Sequence, residues 1–301
     1  MIAPLRIFTK VYHKSIPGTI SPKEKGKFFH FLLQGPTDSD RIKCKLRRYY
    51  LFLLKRKVRN VSSQTAPQKT IRTILLEAMR TGPYADAAHL PPETELAQAL
   101  GISRTQLRDT LAVLEQEGFI TRRHGVGTLI NRHVLKVPVR MDIEEELLNM
   151  IRSSGYEAAL AYVHARDTVP DEDMLQRVDL SPDTPILRID RLYTADGRPA
   201  IYCVDFIDKS IIQTSYTKQD LEQPIFHFLQ EICGVIAYMD LTDLRPVVAD
   251  ESLSRLLSIP VGSPLLRMYE VDYDVSGRLA FCSLQYFADG FFNHTVLRKK
   301  L

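Results

Sequence analysis

Residues 103–131 constrain the chain more than any other stretch. Ser103 followed three places later by Gln106 fits a capping box, in which each side chain satisfies a backbone N–H left open by the first helical turn. Leu107, Leu111 and Leu114 recur at i, i+4 and i+7, so one stripe of this helix is apolar. Arg104, Thr105 and Arg108 fall on a separate arc. Gly118 supplies a left-handed stop. Phe119-Ile120-Thr121-Arg122-Arg123 and Thr128-Leu129-Ile130 then read as two short strands, joined by the glycine-bearing connection His124-Gly125-Val126-Gly127.

Two further helices precede this unit. Ile71, Ile74, Leu75, Ala78 and Met79 give an apolar face over residues 68–80, and Leu96, Ala99 and Leu100 give another over 93–100. Gly101-Ile102 is the tight turn expected inside a helix-turn-helix. A polar, arginine-bearing helix end beside a basic hairpin suits a major groove with a wing next to it.

Residues 68–131 resemble the winged helix-turn-helix of the GntR family of bacterial transcription regulators. The resemblance rests on Leu90-Pro91-Pro92-Glu93-Thr94-Glu95-Leu96-Ala97, Ser103-Arg104-Thr105 with Arg108, Leu114 with Glu117-Gly118, and Gly125-Val126-Gly127-Thr128, at matching spacing. It implies DNA contacts from Ser103, Arg104, Thr105, Gln106 and Arg108 in the helix, and from His124, Gly125, Gly127 and Thr128 in the wing. Two positions depart from the family pattern. Pro92 stands where a capping serine is usual, and Thr94 where many members carry a DNA-reaching arginine. Arginine pairs two-pronged with guanine, whereas hydroxyls and helix N-terminal amides suit phosphates. Glycines let the wing backbone approach the duplex, and His124 or Arg122 could enter the minor groove.

A chain of 301 residues with 45% hydrophobic residues suggests two domains with real cores. No apolar run approaches the roughly 18 residues of a membrane span. Cys44, Cys203, Cys233 and Cys282 show no CxxC and no metal-ligand spacing, so they read as free thiols in a reducing cytoplasm, with no metal or cofactor implied. The net charge of +4 hides an asymmetry, because residues 1–60 hold 15 Lys and Arg against 3 Asp and Glu. DNA binding therefore rests on locally placed arginines. Residues 1–64 form a basic extension, read either as a poorly ordered segment or as an arm for DNA or an anionic membrane surface. GntR-type regulators usually begin just before their first helix, which favours the first of these.

The winged domain is expected over 65–131 and a linker over 132–146, around Pro138. Beyond it lies an internal repeat. Asp171-Glu172 recurs as Asp250-Glu251, and Pro185-Ile186-Leu187-Arg188-Ile189 as Pro264-Leu265-Leu266-Arg267-Met268, both at an offset of 79. Gly197-Arg198 recurs as Gly277-Arg278 at an offset of 80. Each unit reads as a short helix and two strands joined at Asp196-Gly197 or Ser276-Gly277. Two units would pair into one antiparallel sheet with helices on one face, an α+β layer.

Residues 147–301 resemble the UTRA effector-binding domain of the HutC subfamily, which has a chorismate-lyase-like fold. The matching pieces are Arg191-Leu192-Tyr193 with Asp196-Gly197-Arg198-Pro199, Leu256-Leu257 before Gly262-Ser263-Pro264-Leu265-Leu266, and Tyr273-Asp274 before Gly277. The resemblance implies a small-molecule effector and a homodimer. The Arg-x-Arg of sugar-phosphate binders lacks its second arginine here, and Cys203 replaces an acidic residue found in some members. Candidate effector residues are Arg191, Tyr193, Tyr202, Asp205, Tyr273, Ser283 and Tyr286, a set that suits an anionic or hydroxylated metabolite. The expected function is a cytoplasmic, ligand-responsive transcription regulator, most often a repressor in this family, reading a palindromic operator as a homodimer. The rival is a lyase-like enzyme with an accessory DNA-binding head. No Ser/His/Asp or Cys/His constellation supports it, although Asp205 or Glu231 could do acid–base work.

Overall fold

A computed structural model describes residues 67–300, which divide between two compact units with the boundary at Val137 and Pro138. The basic extension and Cys44 lie outside the described residues.

In the first unit, helices α1 (Pro67–Arg80), α2 (Glu93–Leu100) and α3 (Arg104–Gln116) precede strands β1 (Ile120–Arg123) and β2 (Gly127–Ile130). The apolar stripes meet as their periods require. Ile71, Leu75, Met79, Leu96, Leu100, Leu107, Leu111 and Leu114 are all fully buried. The capping box is complete: the Gln106 amide donates to Ser103 Oγ at 3.2 Å, and the Ser103 amide donates to Gln106 Oε1 at 3.1 Å. Pro92 caps α2 without a side-chain hydrogen bond, as its departure from serine dictates. The hairpin is tied down from both sides, by the Leu90 amide on the Thr128 carbonyl and by Asn131 Nδ2 on the Gly118 carbonyl at 2.8 Å.

The segment 132–146, expected as a linker, is divided between the units. Arg132–Leu135 form a helical turn, α4, whose Arg132 guanidinium donates to the carbonyls of Met79, Tyr84 and Ala87. Past Pro138, the Arg140 side chain is buried and pairs with Asp142, and the Met141 amide donates to the Thr295 carbonyl.

The second unit contains α5 (Leu147–Ser153), β3 (Ala158–Thr168), α6 (Glu172–Leu175), β4 (Ile186–Ala195), β5 (Arg198–Asp208), α7 (Lys218–Leu221), α8 (Ile225–Cys233), β6 (Ala237–Val248), α9 (Glu251–Leu257), β7 (Pro264–Asp274) and β8 (Leu279–Ala288). Its six strands form one antiparallel sheet in the order β3-β4-β5-β8-β7-β6. The repeat is thus longer than the sequence suggests. Each unit opens with a long edge strand, β3 or β6, before its helix and hairpin. The repeated Asp171 and Asp250 are helix N-caps, accepting from the amides of Met174 at 2.9 Å and Leu253 at 2.7 Å. Asp196 and Gly197 both take the left-handed conformation that a two-residue hairpin turn demands.

Helices α6 and α9 of the two repeats share one face, packing Met174 and Leu257 against Tyr202, Val204 and Phe206. The opposite face is not left bare, as one-sided cover would leave it. There α5 sets Ile151 near Ile201 and Cys203, and α8 sets Phe228 and Leu229 against Leu187, Ile189 and Ile207. Residues 200–207 of β5 are therefore buried without alternation.

Candidate DNA-reading edge and effector cavity

The first turn of α3 presents Ser103, Arg104, Thr105, Gln106 and Arg108, all exposed, together with Thr94 of α2. Their availability differs. Ser103 and Gln106 spend side-chain atoms on each other in the cap. Arg108 Nε donates to Glu93 Oε2 at 2.8 Å. That pair is exposed, so it stabilises little and a phosphate can replace the carboxylate. Arg104 makes no ion pair among the described residues, which leaves it open to a base edge.

In the wing, Arg122 is anchored. Its amide and Nε both donate to the Glu115 carboxylate at 2.7 Å, clamping the hairpin onto α3. It serves as a strut before it serves as a probe. His124, Gly125 and Gly127 are exposed at the tip, and Thr128 is half-buried. Gly125 and Gly127 have φ of 75° and 95°, and among the described residues nothing lies within 4 Å of where a Cβ would sit at either. Conformation, not crowding, requires glycine there. Arg123, absent from the sequence-derived set, is exposed across the hairpin from Gly127. Its place among wing residues is the signal that could have found it.

The second unit contains a cavity of about 360 Å³ on the sheet face opposite α6 and α9. Tyr193, Cys203, Asp205 and Ser283 line it, so three of the seven expected effector residues meet there. Arg191 lies on the same face but underneath, with no exposed surface. It pairs with Asp205 and donates to the Leu221 carbonyl at 3.2 and 3.3 Å. The expectation of an anionic ligand leaned on this guanidinium, and its charge is already neutralised within the fold.

Tyr202, Tyr273 and Tyr286 belong to the other face, in the core under α6 and α9. Tyr202 stacks on Tyr286 at 6.3 Å and hydrogen-bonds Asp190, which Arg188 also holds at 2.7 Å. Strand alternation is the reason, because Tyr202 and Cys203 are neighbours and must point apart.

The cavity's other polar residues escaped the sequence. Asp240 and Thr242 come from β6, Glu270 from β7 and Gln285 from β8, while Asp142 and Glu144 come from the segment expected as a linker. The alternation Glu270-Val271-Asp272 was the one visible signal. On the sheet floor, Ser283 Oγ donates to Asp205 Oδ1 at 2.9 Å, and Gln285 Nε2 donates to Glu270 and, at 3.3 Å, to Ser283 Oγ. Burial, reinforced by Asp240, Glu144 and Asp205, pushes the Glu270 carboxyl up to about 8. Burial likewise keeps the Cys203 thiol protonated, so it is a packing group and not a nucleophile.

Residues 67–130 match the family model described as bacterial regulatory proteins, gntR family, and residues 153–290 match the UTRA domain. The chain is 22% identical over 226 residues to the HTH-type transcriptional regulator YurK of Bacillus subtilis (strain 168), across 75% of this chain and 92% of that protein. It is 21% identical over 226 residues to the mannosyl-D-glycerate transport/metabolism system repressor MngR of Escherichia coli (strain K12), across 74% and 92%. Among solved structures, the possible transcriptional regulator YydK of Bacillus subtilis superposes with a TM-score of 0.62 at 18% identity, over 77% of this chain and 99% of that one. At that identity the likeness is one of fold. Two domain matches in this order, covering the exposed helix and wing and then the sheet with its cavity, place the chain in the GntR family of bacterial transcription regulators, as a HutC-type member carrying a UTRA effector-binding domain.

Proposed function

We propose that this regulator is a repressor that binds a palindromic operator as a homodimer and changes its DNA affinity when a small molecule fills the cavity of the sheet unit. One observation carries the reading: the cavity lies in a different unit from the exposed helix and wing, so ligand and DNA need not compete for the same residues. The ligand then acts by its differential affinity for the free and DNA-bound arrangements. The repressor sense follows MngR, which carries that description. A DNA partner puts the site of action in the cytoplasm. The test is fluorescence anisotropy on an operator selected from random duplexes, with and without cavity ligands. Operator affinity unmoved by every ligand that binds would sink the reading.

Base recognition is assigned to Arg104, with Arg108 and the helix-end hydroxyls on phosphate. Arg104→Ala is expected to cost about 1–3 kcal/mol on the selected operator and to relax preference at one base pair. A loss of equal size on every sequence would recast Arg104 as a phosphate contact.

The homodimer is assigned to the β6 edge. Among the described residues this strand has no neighbour beyond it, and Tyr238, Leu241 and Val248 are each about two-thirds exposed at 66%, 68% and 66%. An unpaired, apolar edge invites a second copy of itself. Leu241→Asp is expected to turn the dimer into a monomer in sedimentation and to weaken operator binding with it. A variant that stays dimeric would move the interface elsewhere.

An enzyme finds little support in this cavity. Asp205 is held by Arg191 and Ser283, and Glu231 is exposed on α8 and does not line the cavity. Turnover of a bound metabolite would reverse this assignment.

A further inference from the structure

We infer that the cavity of the sheet unit is built for an organic cation that donates hydrogen bonds, a primary ammonium or guanidinium group carried on an apolar body. The inference rests on the reading of this cavity as the effector site and names the chemistry of its ligand.

Charge points there first. Asp205, Asp240 and Glu270 line the cavity from the strands, and Glu144, Glu145 and Glu146 line it from the segment before α5. Arg140 is the one lysine or arginine among the described lining residues and pairs with Asp142, while Arg191 beneath the floor offsets Asp205, so the surplus comes from the other carboxylates. An anion entering here meets a surplus of like charge, while a cation relieves it.

Hydrogen-bond accounting gives an independent reason. The donors on the floor are already used: Ser283 Oγ on Asp205, Gln285 Nε2 on Glu270 and Ser283, and Thr242 Oγ1 on Asp240. What remains unpartnered at the wall, among the described residues, is the Nε2 of the neutral His294 imidazole and one amide acceptor. Gln285 Oε1, on a side chain only 6% exposed at the cavity wall, has no partner. A buried acceptor is costly until a donor reaches it, and carboxylates and phosphates bring none.

The walls define the rest of the ligand. Phe226 and Phe281 meet edge to face at 6.0 Å and line the cavity with Met268. Such walls suit an alkyl or aryl body, and an aromatic face also attracts a cation. A bare metal ion does not fit, because no three His, Cys, Asp or Glu side chains among the described residues converge to hold one. The volume of about 360 Å³ lies in the range of small-molecule sites.

The test uses the full chain at pH 8.5, above the value of about 8 to which burial raises the Glu270 carboxyl, with 1,5-diaminopentane and agmatine as cationic probes and glutarate and glucose 6-phosphate as anionic ones. Calorimetry is expected to show both amines binding once per chain and neither anion binding. Glu270→Gln and Asp240→Asn are each expected to weaken the amines at least tenfold. Anions binding in place of amines, neither amine binding, or amine affinity untouched by both substitutions would overturn the inference. Operator anisotropy run in parallel separates the two readings. Amines that bind without changing operator affinity sink the effector role and leave the ligand chemistry standing. An anion that binds and moves the operator does the reverse.

Discussion

Arg191→Met is expected to remove about 3–5 kcal/mol of folding stability, the characteristic loss when one partner of a buried ion pair is deleted. The environment makes the loss large. Arg191 has no exposed surface and Asp205 only 1%, so water cannot replace the guanidinium. Its deletion leaves the Asp205 carboxylate with the Ser283 hydroxyl and a weak Cys203 thiol contact at 3.4 Å. The Leu221 carbonyl loses both of its Arg191 donors at the same time. Urea denaturation of the full chain reads the loss. The control is Arg191→Met combined with Asp205→Leu, which removes both charges and is expected to recover most of the stability, since a well-packed apolar pair often matches a buried ionic one. A single substitution costing less than about 1 kcal/mol would show that Asp205 is not held as a buried charge. Buried here, the pair acts as a fixed girder under the cavity floor and not as a ligand's first contact.

Much of the winged unit was legible because its signals are local. A capping box, three leucines at helical spacing and two glycines with positive φ each need only a few neighbouring residues to be read. The sheet was legible as a repeat, yet its edges were not. β6 runs Asp240-Leu241-Thr242-Asp243-Leu244-Arg245-Pro246 and stays largely exposed, so no buried face imposes a period on it. Pro246 is tolerated there because an edge strand can spare an amide. The tyrosines went astray for the opposite reason. β5 is apolar on both faces, which leaves hydrophobicity without a phase, and only register decides that Cys203 and Tyr202 point apart. The cavity was hidden by topology. Asp205, Ser283, Glu270 and Asp240 come from β5, β8, β7 and β6, adjacent in the sheet but spread widely along the chain.

Folding stability is expected to fall as pH rises from about 5 to 8, and Glu270→Gln is expected to flatten that fall. Glu270 carries a carboxyl raised from 4.5 to about 8, so the folded chain holds a proton there that the unfolded chain releases earlier. A raised carboxyl contributes its stability fully below 4.5, and the contribution is lost as pH climbs through about 8. At about 1.4 kcal/mol per unit, the full span is on the order of 4–5 kcal/mol. The groups facing Glu270 explain why only the Gln285 hydrogen bond offsets it. Asp240 approaches from β6, Asp205 from β5 and Glu144 from the segment before α5, while β8 offers the neutral Gln285 and Ser283. Asp272, two residues along β7, is itself pushed up by burial with Glu144 and Glu270 beside it. The guanidinium beneath the floor, Arg191, is committed to Asp205. Glutamine keeps the shape of the side chain and removes its charge, so the variant should match the parent near pH 5 and exceed it near pH 8. Denaturation midpoints of the two proteins that run parallel across this window would mean that Glu270 ionises at its ordinary value and that the acidic wall is already balanced.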